Sequence, residues 1–279
     1  MVNGKNETGI FVNLNKDNNR LQTSHAQSHR GAIRKINEDA FLELANYGVW
    51  VVADGMGGHS AGDVASQLVI DTIQQVVETT DVEDLTCDIL VNALKSANEE
   101  LLQLSNKQLE GKIAGSTVVI LFIKEGRFYM LWAGDSRGYL LRNRELTQVT
   151  KDHSQVNDMV DEGVISAEDA EHHPLANVIT RAVGVDKVLD VEINEDTIKH
   201  GDIFLLCSDG LNKEVSDEEI ERSLQSGSII DSGMALMHAS LVRNARDNVT
   251  CVLVKHREQF VDASVIDNDI TIPFFRPIN

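Results

Sequence analysis

No apolar run in this chain approaches the length of a membrane span, and its N-terminus lacks the basic-then-apolar order of a secretion signal. The chain is therefore expected to work in the cytosol, away from membranes. Cysteine is scarce. The three present, Cys87, Cys207 and Cys251, show no C-x-x-C spacing, so they read as small apolar core residues in a reducing compartment. Basic residues are in deficit, 25 Lys and Arg against 44 Asp and Glu for a formal charge of −19, which argues against nucleic acid and anionic membrane surfaces as partners. Linkers rich in Gly, Ser or Pro and internal repeats are also missing, so the 279 residues are read as one large domain. Several catalytic signatures are absent too. There is no G-x-x-x-x-G-K-[ST], no H-E-x-x-H, and no cysteine placed ahead of an arginine as a thiolate phosphatase needs. Gly134-Asp135-Ser136-Arg137-Gly138 matches G-x-S-x-G in letters. That nucleophile elbow requires a helix after the serine, however, and here Tyr139-Leu140-Leu141 continues as strand.

What is present is a repeated junction between apolar strands and aspartate. Val49-Trp50-Val51-Val52-Ala53 is too short for a helix and rich in β-branched residues, and it stops at Asp54-Gly55-Met56-Gly57-Gly58. The run at 203–208 ends at Asp209-Gly210, and the run at 128–133 ends at Gly134-Asp135. Asp247-Asn248 stands just before the apolar run at 249–254. A single Asp-Gly after a strand is ordinarily a turn. With four such junctions and antiparallel strands, Asp54, Asp135, Asp209 and Asp247 would meet at one edge. Carboxylates gathered so closely raise one another's pKa unless a cation lies among them. Hard oxygen donors without His or Cys select Mg²⁺ or Mn²⁺ over Zn²⁺. Gly55, lacking a Cβ, lets its carbonyl approach such an ion.

Along the chain, residues 1–23 read as a polar extension or an added edge strand around Ile10-Phe11-Val12. The domain proper is placed at 24–256 and a tail at 257–279. Strands are expected at 40–44 and 49–53. A helix from 59 to about 78 carries an apolar face of Val64, Leu68 and Ile73, and a second helix carries the stripe Leu90, Leu94, Ala97, Leu101 and Leu104. Strands at 116–123, 127–133, 138–142 and 145–149 read as one meander. The irregular acidic stretch at 151–184 reads either as a functional flap or as a solvated excursion. Further strands are expected at 188–193, 203–208 and 247–254, with short helices after Ser216 and over 232–244.

Taken in order, Arg34 through Asp39, Asp54-Gly55-Met56-Gly57-Gly58-His59, Gly134-Asp135-Ser136-Arg137, Ser208-Asp209-Gly210 and Asp247-Asn248 resemble the metal-dependent serine/threonine protein phosphatases of the PP2C (PPM) family, bacterial branch. The resemblance implies an α+β fold, a four-layer αββα sandwich of two antiparallel sheets flanked by helix pairs, with the flap as a subdomain. It implies two Mn²⁺ or Mg²⁺ ions and a weaker third. Asp54 would bridge the first two ions, with the Gly55 carbonyl on one and Asp209 and Asp247 on the other. Asp135, with Asp209, matches the third-ion position. Glu38 and Asp39 fall in the outer shell, and Arg34 matches the arginine that grips phosphate. Met56 stands where eukaryotic members carry a histidine, which leaves His59 or a water as the acid for the leaving group. Lys213 stands where the family has a further third-ion carboxylate, and this departure counts against strong third-ion binding. The activity implied is hydrolysis of phosphoserine and phosphothreonine proteins by a metal-activated water, opposing a cognate serine/threonine kinase. The protein would be monomeric and cytoplasmic. The rival readings are a catalytically weak relative acting in signalling or partner switching, and a small-molecule phosphomonoesterase.

Overall fold

The structure, a computed structural model, describes residues 10–14, 20–57, 61–108, 113–170, 173–225 and 227–258. The first part of the chain contains β1 (Ile10–Leu14), β2 (Arg20–His29), β3 (Asp39–Leu44), β4 (Val49–Gly57), α1 (Ala61–Thr79) and α2 (Cys87–Gln108). Next come β5 (Ala114–Ser116), β6 (Val118–Lys124), β7 (Arg127–Ala133), β8 (Arg137–Arg142) and β9 (Glu145–Gln148). After α3 (Gln155–Asp161) and α4 (Ala167–Ala170), the chain forms β10 (Glu192–Thr197), β11 (Ile203–Cys207), α5 (Asp209–Asn212), α6 (Asp217–Leu224), α7 (Ile229–Val242) and β12 (Val249–Glu258).

Two antiparallel sheets result, one ordered β10-β7-β6-β4-β3 with β5 on the end of β4, the other β1-β2-β12-β11-β8-β9. The unbroken apolar runs of the central strands follow from burial on both faces. On β4, Val49, Val51 and Ala53 pack with α1 and α2, while Trp50 and Val52 enter the core between the sheets. On β11, Phe204 and Leu206 face that same core, and Ile203, Leu205 and Cys207 pack with α5, α6 and α7. Phe128 meets Phe204 edge-on across the sheets at 4.9 Å. Three stacked apolar cores thus define four layers, helices, sheet, sheet, helices, as the resemblance implied.

Several local expectations are corrected. The buried face of α1 is two adjacent rows, Ala61, Ala65, Val69, Ile73 and Val77 beside Gly62, Ser66 and Ile70; of the expected face Ile73 is buried and Leu68 packs against the core part-buried, whereas Val64 is exposed. The expected meander is two hairpins in different sheets. β6–β7 turns through Glu125-Gly126 and β8–β9 through Asn143-Arg144, with positive φ at all four positions. Between the hairpins, residues 134–136 carry the chain from one sheet to the other. Gly134 has φ +119°, and a Cβ there would come within 2.6 Å of the Thr117 Cβ. Thr117 Oγ1 and Ser136 Oγ are 2.7 Å apart across the crossing.

The strand expected at 188–193 lies at Glu192–Thr197, a mostly exposed edge strand on β7. β2 was not anticipated, because its alternation is largely polar. It pairs along the whole of β12, from Arg20 opposite Glu258 to His29 opposite Val249, and so starts ahead of the boundary placed at Ser24. β1 lies along β2 at the sheet edge.

Candidate metal centre

Asp54 lies beyond the apolar run of β4, opposite Asp39 in the register with β3. Its backbone is fixed from the far side of the strand. Thr117 N and Ser116 Oγ donate to the Asp54 carbonyl at 2.8 and 3.1 Å, and Asp54 N donates to Thr117 Oγ1 at 3.2 Å. The reason Gly55 lacks a side chain differs from the one expected. A Cβ there would collide with the Gly62 carbonyl at the start of α1 and sit 2.7 Å from the Glu38 carbonyl, so the missing side chain admits the helix.

From the other sheet, β11 ends at Cys207, and Ser208 precedes Asp209, the first residue of α5. Asp247-Asn248 leads into β12. Asp135 sits in the crossing between the sheets and is buried. The chain therefore delivers carboxylates from both sheets to one edge of the sandwich, because each apolar run ends there.

Their mutual electrostatics are those of a crowded acid cluster. Burial, reinforced by repulsion from Asp39, Asp209, Asp135 and Asp247, pushes the Asp54 carboxyl well above the ordinary carboxylate range. Asp39 is pushed up to about 7, first by burial and then by Asp209 and Asp247, against the opposing hydrogen bonds that Thr250 Oγ1 and Ser208 Oγ donate to its Oδ2 at 2.7 and 2.8 Å. Asp135 is likewise pushed up to about 7 by burial and by Asp209, with Lys213 opposing. Burial also raises Glu38, while the Arg34 guanidinium and the Gly62 amide pull it down. One carboxylate oxygen on each of Asp39, Asp135 and Asp209 is buried without a hydrogen-bond partner.

Protein cations stand on Asp247, Glu38 and Asp209. Arg34 donates to Asp247 Oδ2 at 2.7 Å and lies 3.9 Å from Glu38, and Lys213 bonds Asp209. Among the described residues, no three His, Cys, Asp or Glu side chains form a closed, preformed metal-binding group. The acids instead face one another at Coulombic range. Partnerless, mutually repelling hard oxygens are the donor set that a hard divalent ion relieves, so these residues fit Mn²⁺ or Mg²⁺.

Of the residues singled out from sequence, Arg34, Glu38, Asp39, Asp54, Gly55, Asp135, Asp209 and Asp247 are brought to this edge; His59 lies outside the described residues. Sequence reasoning quoted Ser208 only as the neighbour of Asp209 and overlooked Thr250, and these two hydroxyls hold Asp39. It also missed Asp63, whose charge bears on Glu38 and whose Oδ1 is buried without a partner. Its signal was a lone acid in the first turn of the helix behind the glycine turn.

The Protein phosphatase 2C family profile matches residues 23–253. The serine/threonine protein phosphatase PstP of Mycobacterium tuberculosis is 39% identical over 246 residues, covering 88% of this chain and 45% of PstP, so the chain spans less than half of that relative. The serine/threonine phosphatase stp of Listeria monocytogenes is 34% identical over 240 residues, covering 83% of this chain and 95% of that protein. Among solved structures, the PstP catalytic domain in complex with two manganese ions superposes with a TM-score of 0.76 at 36% identity, covering 85% of this chain and 99% of that one. Stp1 of Staphylococcus aureus superposes with a TM-score of 0.78 at 32% identity, covering 91% and 99%.

Proposed function

The chain belongs to the protein phosphatase 2C family, and from that premise we propose that it is a metal-dependent protein phosphatase acting on phosphoserine and phosphothreonine. The observation that carries the reading is the edge where Asp54 of one sheet meets Asp209 and Asp247 of the other, with buried carboxylate oxygens lacking partners. Asp54, Asp209, Asp247 and the Gly55 carbonyl would hold two divalent ions, and Asp135 with Asp209 a weaker third. Bound there, such ions lower the pKa of water toward neutrality and offset charge on phosphoryl oxygens.

The chain's own groups do the remaining work. Arg34 is half-exposed at the mouth of the site, and its planar fork suits two phosphoryl oxygens at once. The 2.7 Å bond to Asp247 and the nearby Glu38 hold it there. Asp39, fixed by Ser208 and Thr250, is an outer acceptor that orients water. A covalent thiolate route finds no nucleophile. Cys207 and Cys251 are fully buried and burial pushes both thiols up, Cys251 to about 12. His59 is kept as the candidate acid for the leaving oxygen.

The substrates in this reading are phosphorylated proteins produced by a serine/threonine kinase in the same compartment. We take that compartment to be the cytoplasm and the working form to be a monomer. The three free cysteines support a reducing compartment.

The test is hydrolysis of p-nitrophenyl phosphate and of phosphoserine and phosphothreonine peptides with Mn²⁺, which EDTA and Asp54→Asn should each abolish. Metal binding without turnover would refute the proposal. Cleavage of phosphorylated metabolites with phosphopeptides ignored would move the substrate class to small phosphomonoesters.

A further inference from the structure

The side chain of Asn248 is buried, and its hydrogen bonds all reach one distant loop. Its Nδ2 donates to the carbonyl oxygens of Arg30 at 2.9 Å and Ile36 at 3.0 Å, and its Oδ1 accepts from the Glu38 amide at 2.8 Å. Both amide protons and the carbonyl oxygen are thereby engaged. The three contacts grip residues 30–38 near both ends, with Arg34 between them.

The loop is fitted to the same strand start by its backbone. Ala32 N donates to the Ala245 carbonyl at 2.9 Å. Gly31, at φ +75°, lies so close to the Asp247 carbonyl oxygen that a Cβ would collide with it. Asn248 N in turn donates to Asp247 Oδ1 at 2.8 Å, while Asp247 Oδ2 accepts from Arg34. One asparagine therefore sits between the acid of the metal edge and the loop that presents the arginine. Without that clasp the loop would keep the Ala32–Ala245 bond and the Arg34–Asp247 pair but little burial, because Arg30, Ala32, Ile33, Arg34, Lys35 and Ile36 are all exposed.

We propose that Asn248 is a positioning residue that closes the 30–38 loop and sets the aim of Arg34 toward phosphate. The proposal rests on the phosphate-gripping role given to Arg34 above. Holding a cation that contacts phosphate in both ground and transition states affects substrate binding more than the chemical step. Loss of the clasp should therefore appear in KM and in inhibition by inorganic phosphate, with kcat changed less.

The loop offers trypsin three sites, after Arg30, Arg34 and Lys35, which gives a readout independent of bound metal and of turnover. In Asn248→Ala and in the isosteric Asn248→Asp, which removes both donors, tryptic cutting within 30–35 should be at least tenfold faster than in the parent. Cutting elsewhere should be unchanged, and a thermal melt should show a folded protein. With Mn²⁺, the inhibition constant for inorganic phosphate should rise about tenfold. On an Arg34→Ala background the same change should add less than twofold, because the effect passes through Arg34. Unchanged cutting in both Asn248 variants would overturn the clasp, and so would a full tenfold effect added to Arg34→Ala. If Arg34→Ala alone leaves phosphate inhibition unchanged, the phosphate role of Arg34 is wrong, while the cutting pattern still judges the clasp.

Discussion

Metal removal should make this protein less stable as pH rises, and Asp39 gives the size of the effect. Its carboxyl is almost fully buried, with two hydroxyl donors on Oδ2, no partner on Oδ1, and Asp209 and Asp247 in electrostatic reach. Because its folded pKa is raised from 3.8 to about 7, the native state holds this proton more tightly than the unfolded chain does. The stabilising contribution is then complete below pH 4 and is lost as pH climbs through 7. At 1.36 kcal/mol per pKa unit, the full shift is worth about 4 kcal/mol, of which roughly 2 to 3 kcal/mol falls between pH 5 and pH 8. For a domain of this size that is a drop in Tm of about 5 to 10 °C. Asp54 and Asp135 are shifted in the same direction and steepen it. Thermal melts in EDTA at pH 5, 6, 7 and 8 should show the decline. Saturating Mn²⁺ should flatten it, because the ion neutralises the acids, and Asp39→Asn should remove part of the slope in EDTA. A Tm that holds constant or rises from pH 5 to 8 in EDTA would refute the reasoning, as would an unchanged slope in Asp39→Asn.

Three further outcomes follow from the described contacts. In the native protein only Cys87, half-buried with its thiol at about 11, should react with a disulfide reagent on a scale of minutes to hours, while Cys207 and Cys251 should wait for unfolding; prompt labelling of all three would contradict the packing of β11 on β12. Asp202, buried and bonded by Arg142 at 2.7 and 2.9 Å, should cost about 3 kcal/mol of stability when changed to Ala, with kcat/KM intact, and a loss below 1 kcal/mol in urea unfolding would show the pair to be dispensable. Lys213→Ala, which frees Asp209 of its ammonium partner, should tighten Mn²⁺ binding by roughly three- to tenfold in calorimetry, equivalent to about 0.7 to 1.4 kcal/mol; weaker binding would mean the lysine supports the site.

The carboxylate edge was legible because a strand buried on both faces must be continuously apolar, so each sequence run ends where the strand leaves the core. Asp54 after Ala53 and Asp209 after Ser208 are visible for that reason. The stripe Leu90, Leu94, Ala97 and Leu101 was equally plain, since α2 covers one face of a sheet. β2 was not legible. It places Gln22, Ser24 and His25 in buried positions, where partners far along the chain cover them, so its apolar signal is faint. The change of sheet at 134–136 was hidden as well, because strands joined by short turns on either side suggested one continuous meander, and the packing of Thr117 under Gly134 appears only in the fold. Asn248 was visible only as the neighbour of Asp247, and its clasp was not, since its side-chain partners lie more than two hundred residues away.

The sandwich is held differently at this edge than elsewhere. Over most of their area the two sheets meet through Trp50, Met130, Phe204, Val252 and their neighbours. At the carboxylate edge they meet through Asp39 on one sheet and Ser208 and Thr250 on the other, and through Asn248 on the loop before β3. Divalent ions shared by Asp54, Asp209 and Asp247 would join the sheets at an edge where apolar packing does not. Ions at a hundred times their dissociation constant stabilise the fold by about 2.7 kcal/mol, and that gain should be local before it is global. In hydrogen exchange, Mn²⁺ should therefore protect the end of β4, the start of α5 and residues 247–248, and leave β9, the edge strand of its sheet, unchanged. Protection spread evenly over both sheets would mean that the ions bind a preformed edge and do not fasten the two sheets together.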